Sequence, residues 1–311
     1  MNRRQFLSIA GAFAGWAGSA GEAFAFSRSD ASSSIRSLVL VDLDGGNDAL
    51  NTVIPFTDPR YYALRPTLAL PRDRVIPLDE RTALHPSLQP LMDAWRAHEL
   101  AIVQGVGYDA PNRSHYRSRQ IWDTASQADE YRDDDWLARV TDAPTHACAA
   151  SCDDAARLIA MRALSQRVDV IQVTLHGFDT HENQAHRHAA LLARFAEGLA
   201  SLRATLIASG AWNQTLVMTR SEFGRAAREN DAAGTEHGAA AAHFLMGGRV
   251  RGGLFGTPPR LDRLDADGGL PVTVDFRRLY ATVLDACWKH DRASVLSTLG
   301  QRFEPLPVLR V

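Results

Sequence analysis

Short aliphatic runs alternate along this chain with stretches of helical period, and that alternation limits the fold more than any other feature. Leu38-Val39-Leu40-Val41, Leu100-Ala101-Ile102-Val103, Val170-Ile171-Gln172-Val173 and Thr215-Leu216-Val217-Met218 read as strands buried on both faces, with His243-Phe244-Leu245-Met246 a weaker fifth. Leu191, Leu192, Phe195, Leu199, Leu202 and Leu206 recur every three or four positions, which predicts an amphipathic helix between the third and fourth runs. Asp275 is placed to cap a last helix carrying Phe276, Leu279, Tyr280, Val283 and Leu284. Strands separated by helices predict an α/β fold: a doubly wound, mostly parallel sheet sandwiched by helices. Residues 37–311 then form a single α/β domain. Within it, about 124–160 is rich in Asp, Ala and Arg without a strong period and reads as a surface insertion or lid.

The first 25 residues read as an address. Arg3-Arg4-Gln5-Phe6-Leu7 precedes a weakly apolar Gly- and Ala-rich stretch and then Ala23-Phe24-Ala25, a small-x-small cleavage signal. The paired arginines followed by Phe-Leu resemble the twin-arginine export signal; an ordinary secretory signal or an uncleaved helix are the alternatives. Ser-rich residues 26–36 read as a linker. No later segment offers about 18 uninterrupted apolar residues, so no permanent membrane span is expected. The expected location is the periplasm or the exterior, with the twin-arginine translocon as a partner during export.

Charge narrows the partners. With 34 basic against 36 acidic residues the net charge is -2, leaving no excess to neutralise a phosphate backbone, so nucleic acid is not an expected partner. Lys289 is the sole lysine, which excludes a Walker A loop, a kinase lysine and a Ser-x-x-Lys acyl-transfer site. Cys148 and Cys152 could pair locally in an oxidising compartment or lie as unbonded neighbours, and Cys287 reads as a small hydrophobe.

In a sheet of this kind ligands bind beyond the carboxyl ends of the strands, and polar residues cluster there. The first strand runs into Asp42-Leu43-Asp44-Gly45-Gly46-Asn47-Asp48, carboxylates around two glycines that suit a divalent cation, or else a solvated turn. After the second comes Asn112-Arg113-Ser114-His115. Ser114 stands where a helix begins, and free N–H groups and the helix dipole would stabilise an anion there; the plainer role is an N-cap. Arg113 and Arg117 are candidates for holding phosphate or sulfate oxygens. The third strand ends in Asp179-Thr180-His181, an oxygen and an imidazole donor suited to zinc, manganese or iron, while His186 and His188 are expected on the solvent face of the following helix. The fourth ends in Ser221-Glu222-Phe223-Gly224-Arg225, and a loop histidine follows in Gly234-Thr235-Glu236-His237-Gly238.

In this order the motifs from Leu43–Asn51, Asp58-Pro59-Arg60-Tyr61-Tyr62 with Arg65-Pro66, and the segments just quoted resemble the bacterial domain-of-unknown-function 1501 family over roughly residues 37 to 290. That family is in turn similar to the alkaline phosphatase and sulfatase superfamily. The resemblance implies an alkaline-phosphatase-like fold, with Asp44 or Asp48 as the first-strand carboxylate, Asp48 the better family match. It implies Ser114 as nucleophile, Asp179 and His181 on one metal, Glu222 as an acid ligand and His237 as the late histidine. The stretch from His237 to Val250 also resembles cofactor-independent phosphoglycerate mutases. Three departures stand out: Glu222-Phe223 replaces an Asp-His pair, the 179–181 spacing is short, and no Cys/Ser-x-Pro-x-Arg sulfatase signature is present.

The expectation is an exported hydrolase or transferase of small phosphate or sulfate esters. Ser114, Arg113 and His115 would do the chemistry, with a divalent metal, zinc or manganese, held among Asp44, Asp48, Asp179, His181, Glu222 and His237. The alternatives are a non-catalytic envelope protein with a degenerate or single-metal site, and a metal-free serine esterase with His115 or His237 as base.

Overall fold

The computed structural model describes residues 34–140, 145–161 and 168–310; the 1–25 address and most of the 26–36 linker lie outside them. Eight strands form the main sheet: β1 (Ser37–Asp44), β2 (Leu100–Gly107), β3 (Thr145–Ala149), β4 (Asp169–His176), β5 (Thr215–Arg220), β6 (Ala241–Met246), β7 (Gly253–Gly256) and β8 (Val274–Asp275). Their order is β7-β2-β6-β5-β1-β4-β3, with β8 also paired to β2. Every pairing is parallel except those of β6, which runs antiparallel to both β2 and β5. All five expected strands are present, and the weak fifth is the antiparallel one.

Residue parity explains the two cores. Val39, Val41 and Leu43 of β1 face one way with Ile171, Val173 and Val217, beneath the helix α3 (Gln184–Ala208) and its Leu192, Phe195, Leu199, Leu202 and Leu206. Leu38 and Leu40 face the other way with Val170, Leu216 and Met218. They meet α1 (His115–Thr124) through Ile121 and Trp122, and α4 (Arg277–Trp288) through Leu279, Tyr280, Val283 and Leu284. Both faces of a parallel sheet must be covered in this way, so the strands carry no polar face. Asp275 performs its capping role one residue earlier than a strict N-cap: Oδ1 accepts from Arg277 N at 2.9 Å and Oδ2 pairs with the Arg277 guanidinium at 2.7 Å.

The expected insertion or lid at 124–160 is corrected. Thr145–Ala149 pairs in parallel with β4 as the edge of the main sheet, and α2 (Cys152–Met161) packs on α3 through Ala155, Ala156 and Ile159. A five-residue edge strand and a ten-residue helix are too short to leave a readable period. Cys148 and Cys152 are both free, and Cys287 is buried as a small hydrophobe. Among the described residues no helix is long and apolar enough to cross a membrane.

Candidate metal centre

The carboxyl ends of β1, β4 and β5 lie side by side, in register Asp44 against His176 and Asp42 against Arg220. The loop leaving β1 crosses the loop leaving β4 so closely that a Cβ on Gly45 would sit 2.2 Å from Asp179 N, and Gly45 has φ +119°. Only glycine fits such a crossing. A hairpin, Arg225–Glu229 with Thr235–His237, folds over the same place. Gly234 there lies against the His181 carbonyl, where a Cβ would approach within 2.1 Å.

Arg225 ties these segments together. Its side chain is fully buried and donates to the carbonyls of Gly46 (2.8 Å), Gly45, Phe178 (2.9 Å) and Thr235 (3.0 Å), and to Asp179 Oδ1 at 2.6 Å. A buried guanidinium is tolerated because each of its three nitrogens finds an acceptor.

Three imidazoles converge on Asp179. His181 Nε2 lies 2.9 Å from Asp179 Oδ1, His237 Nε2 lies 3.2 Å from the same oxygen, and the two Nε2 atoms are 3.0 Å apart. His115 Nε2 is 3.5 Å from Asp179 Oδ2. In each ring the other nitrogen faces an acceptor: His237 Nδ1 the Arg113 carbonyl at 2.7 Å, His115 Nδ1 the Glu222 carboxylate at 2.8 Å, His181 Nδ1 the Glu236 carboxylate at 3.2 Å. With the ring proton on Nδ1, given to these acceptors, each Nε2 would present a lone pair toward Asp179. In that tautomer three acceptor atoms lie 2.9–3.2 Å from one another, an arrangement that a cation among them would relieve. A tetrahedral zinc site with ligands at about 2.0–2.1 Å has ligand–ligand edges of about 3.3 Å. His115 joins Asp179 and His237 in a second grouping, whose donor atoms lie within 4.8 Å of one another. The donor set therefore fits one borderline divalent ion.

Burial pushes the His237 pKa below the ordinary histidine value, which favours the neutral ring. Burial works to raise Asp179, but the hydrogen bond and charge of Arg225 outweigh it and hold the carboxyl at about 2. Asp179 is therefore an anion throughout the neutral range.

The residues singled out from the sequence divide into groups. Asp179, His181 and His237, taken from the sequence as metal ligands, lie together, and His115, assigned there to catalysis, lies beside them. Glu222 stands one layer behind: both its oxygens accept from Gly45 N, at 3.0 and 3.2 Å, and Oε1 orients His115. Asp44 sits beside this layer, bound to His176 Nδ1 at 2.6 Å and to Arg119. Asp48 is corrected: its buried carboxylate caps a short helix at Leu50 N and binds Arg65 (2.5 Å) and Gln184 (2.5 Å), so it is spent on the core. Arg113 contributes its carbonyl, while its guanidinium pairs with Asp265 and Asp267. Arg117 is buried on the carbonyls of Gln127, Ala128 and Glu130. His188, expected at the surface, is buried with Nε2 2.9 Å from Asn47 Oδ1, whereas His186 is exposed.

Ser114 occupies the N-cap of α1, yet its side chain makes no capping bond; the cap's N–H instead donates to Asn112 Oδ1 at 2.9 Å. It is exposed, between the residue whose carbonyl holds His237 and the ligand His115. Sequence reading missed Glu236, Arg225, Arg119 and His176. Glu236 and Arg225 stand inside quoted motifs, but nothing in the spacing indicates which way they point.

Two cavities adjoin the centre. One, about 250 Å³, is lined by Asp42, Asp44, Arg119, Gln172, His176 and Arg220 among others. The other, about 670 Å³, is an open groove starting at His115 and running past Tyr116, Arg119 and Asp123 to Arg132 and Asp133. Arg119 lines both.

A family model described as "Protein of unknown function (DUF1501)" matches residues 108–305. No curated protein matches the sequence. Among solved structures, the C-terminal periplasmic domain of EcEptC from Escherichia coli is 10% identical with a TM-score of 0.46, over 88% of this chain and 90% of that one. A Bacteroides thetaiotaomicron protein titled for metabolism of multiple glycosaminoglycans is 10% identical with a TM-score of 0.47, over 85% and 75%. The lipoteichoic acid synthase LtaP from Listeria monocytogenes is 8% identical with a TM-score of 0.40, over 70% and 66%. Likenesses at this level carry no argument about chemistry.

Proposed function

Since the chain belongs to the DUF1501 family, whose description assigns no activity, we propose from its own centre that it is an exported, metal-dependent hydrolase or transferase of phosphate or sulfate esters. One observation carries the reading: three histidines, each with Nδ1 facing a carbonyl or carboxylate, turn their Nε2 atoms toward the Asp179 carboxylate. Three imidazoles and one carboxylate favour zinc, with manganese the alternative.

His115, His181, His237 and Asp179 would hold the ion, and Glu222, Glu236 and the Arg113 carbonyl would orient the rings. A divalent ion bound there supplies Lewis-acid polarisation of an ester oxygen and favours the ionised nucleophile. Ser114 is the nucleophile: its hydroxyl is uncommitted at the start of α1, where the helix dipole would favour the alkoxide that attacks phosphorus or sulfur. Attack displaces the alcohol portion of the ester, and water or a second alcohol then takes the group from Ser114. The serine-esterase alternative lacks support, because among the described residues no hydrogen bond joins the Ser114 hydroxyl to His115 or His237. Export by the twin-arginine route rests on Arg3-Arg4 and Ala23-Phe24-Ala25.

Metal analysis of the purified protein, paired with an aryl phosphate and aryl sulfate screen with and without chelator, tests the reading. Bound metal and chelator-sensitive turnover are expected; absence of both overturns it. Phe223, whose ring stacks on His237 at 4.4 Å where the superfamily resemblance implied a histidine, favours a second reading: a metal-holding protein without turnover. Stoichiometric metal with no hydrolysis of either ester class selects that reading.

A further inference from the structure

Four carboxylates belong to the centre and its surround: Asp179 against the three histidines, Glu222 and Glu236 behind their rings, and Asp44 beside Glu222. Two guanidiniums already answer them. Arg225 pairs with Asp179 at 2.6 Å, and Arg119 pairs with Asp44 and lies 3.6 Å from Glu222. Counted as carboxylates against guanidiniums, four to two leave a deficit that one divalent ion cancels.

A second ion would also need donors of its own, and those nearest are taken. Both Glu222 oxygens accept from Gly45 N, and one also meets His115. Asp44 is divided between His176 and Arg119. The Phe223 ring, 4.4 Å from His237 and 4.9 Å from His115, presents carbon instead of a ligand. Arg225 cannot make way, because five acceptors on three loops hold a side chain with no exposed surface.

Arg119 differs from the other arginines here. It follows His115 by four residues on α1, so it shares that helix face. Its side chain is 48% exposed, and it lines both cavities beside the centre. Arg113, Arg117 and Arg220 are each committed elsewhere: to Asp265 and Asp267, to buried carbonyls, and to Asp42 and Asp123. An ester anion could draw Arg119 from Asp44, which keeps its bond to His176.

We propose that the centre takes a single divalent ion, that Arg225 permanently supplies the charge of a second cation, and that Arg119 is the side chain that binds the non-bridging oxygens of an anionic ester. The inference rests on the metal-dependent reading above. A planar guanidinium can grip two such oxygens at once, which a lone ion beside a neutral wall cannot do.

The test uses the full chain, stripped with chelator and titrated with cobalt(II), reading the d–d absorption; inorganic phosphate binding to the loaded protein is then followed by calorimetry. Saturation at one cobalt per chain is expected, and a second equivalent at the centre overturns the inference. Arg119→Ala is expected to keep the cobalt spectrum and weaken phosphate about tenfold or more, the loss of a charge-assisted contact, with partial recovery in Arg119→Lys. Equal phosphate affinity in Arg119→Ala and wild type, or none in wild type, overturns the assignment of Arg119. Failure to bind cobalt at all instead removes the metal-dependent reading itself.

Discussion

Glu222 Oε1 lies 2.8 Å from His115 Nδ1, joining a residue after the fourth parallel strand of the sequence pattern to the first residue of α1. The carboxylate is only 3% exposed, and Gly45 N fixes it from the other side. It therefore sets both the tautomer and the plane of the ring. Glu222→Ala removes the acceptor shared by Gly45 N and His115 Nδ1, so the ring loses the partner that holds its plane and its Nδ1 proton. Metal affinity should fall by about 10–100-fold, the scale for loss of a partner behind a ligand, while the folded far-UV spectrum is kept. Competition against a chromophoric chelator measures it; unchanged affinity would show that Glu222 does not orient His115.

Asp48 and Arg65 form a buried pair at 2.5 Å, with side chains 1% and 0% exposed. Arg65 also bonds the Asn51 side chain and the Ala226 and Ala227 carbonyls, so the pair joins the post-β1 helix to the hairpin. Asp48→Ala leaves the guanidinium buried without its counter-charge, and about 3–5 kcal/mol of stability should be lost. The folded fraction should nevertheless bind metal with wild-type stoichiometry, because Asp48 donates nothing to the centre. Denaturant titration and metal analysis of the same variant check both halves; a lost ion with undiminished stability would restore Asp48 as a ligand.

How much of this was readable beforehand varies by feature. Strand runs and the α3 stripe were legible, since hydrophobic period is a local property. That the polar groups gather at one sheet edge was legible too, because parallel strands all end on the same side. Side-chain direction was not. Asp44 and Asp48 look alike in the sequence, yet four residues and a pair of left-handed glycines turn Asp48 into the core. His188 looked solvent-facing, but it precedes Leu192 by four residues and so continues the buried Leu/Phe stripe, where its Nε2 meets Asn47. The Glu222–His115 contact spans 107 positions, which no spacing rule reaches.

Buried histidines give the protein an acid limb. Burial holds His188 at about 4 and His243 at about 3, below the unfolded value of about 6.5. Both are neutral in the fold, so between those values the unfolded chain binds more protons than the folded one. Their stabilisation is present above pH 6.5 and lost as pH falls toward 4. Asp179, held at about 2, adds a separate loss below pH 4, tempered by its partial exposure. Urea midpoints should therefore drop between pH 7 and 4.5 in metal-free protein, and His243→Phe should flatten that slope. A slope identical in His243→Phe and wild type would remove His243 from the account.

Ser114 offers the sharpest separation between a cap and a nucleophile. A serine that caps a helix typically stabilises it by about 1 kcal/mol, but this hydroxyl makes no capping bond. Ser114→Ala should thus change stability by no more than about 0.5 kcal/mol, as a surface substitution does. It should also leave the ion in place, since the donors are His115, His181, His237 and Asp179. Turnover of an aryl phosphate or sulfate should fall by about four orders of magnitude or more, as when a covalent nucleophile is removed. Stopped-flow traces should lose any burst of released alcohol, because no covalent group can accumulate on alanine. Retained turnover with wild-type metal content would transfer the attack to a water molecule and leave Ser114 as a bystander at the helix end.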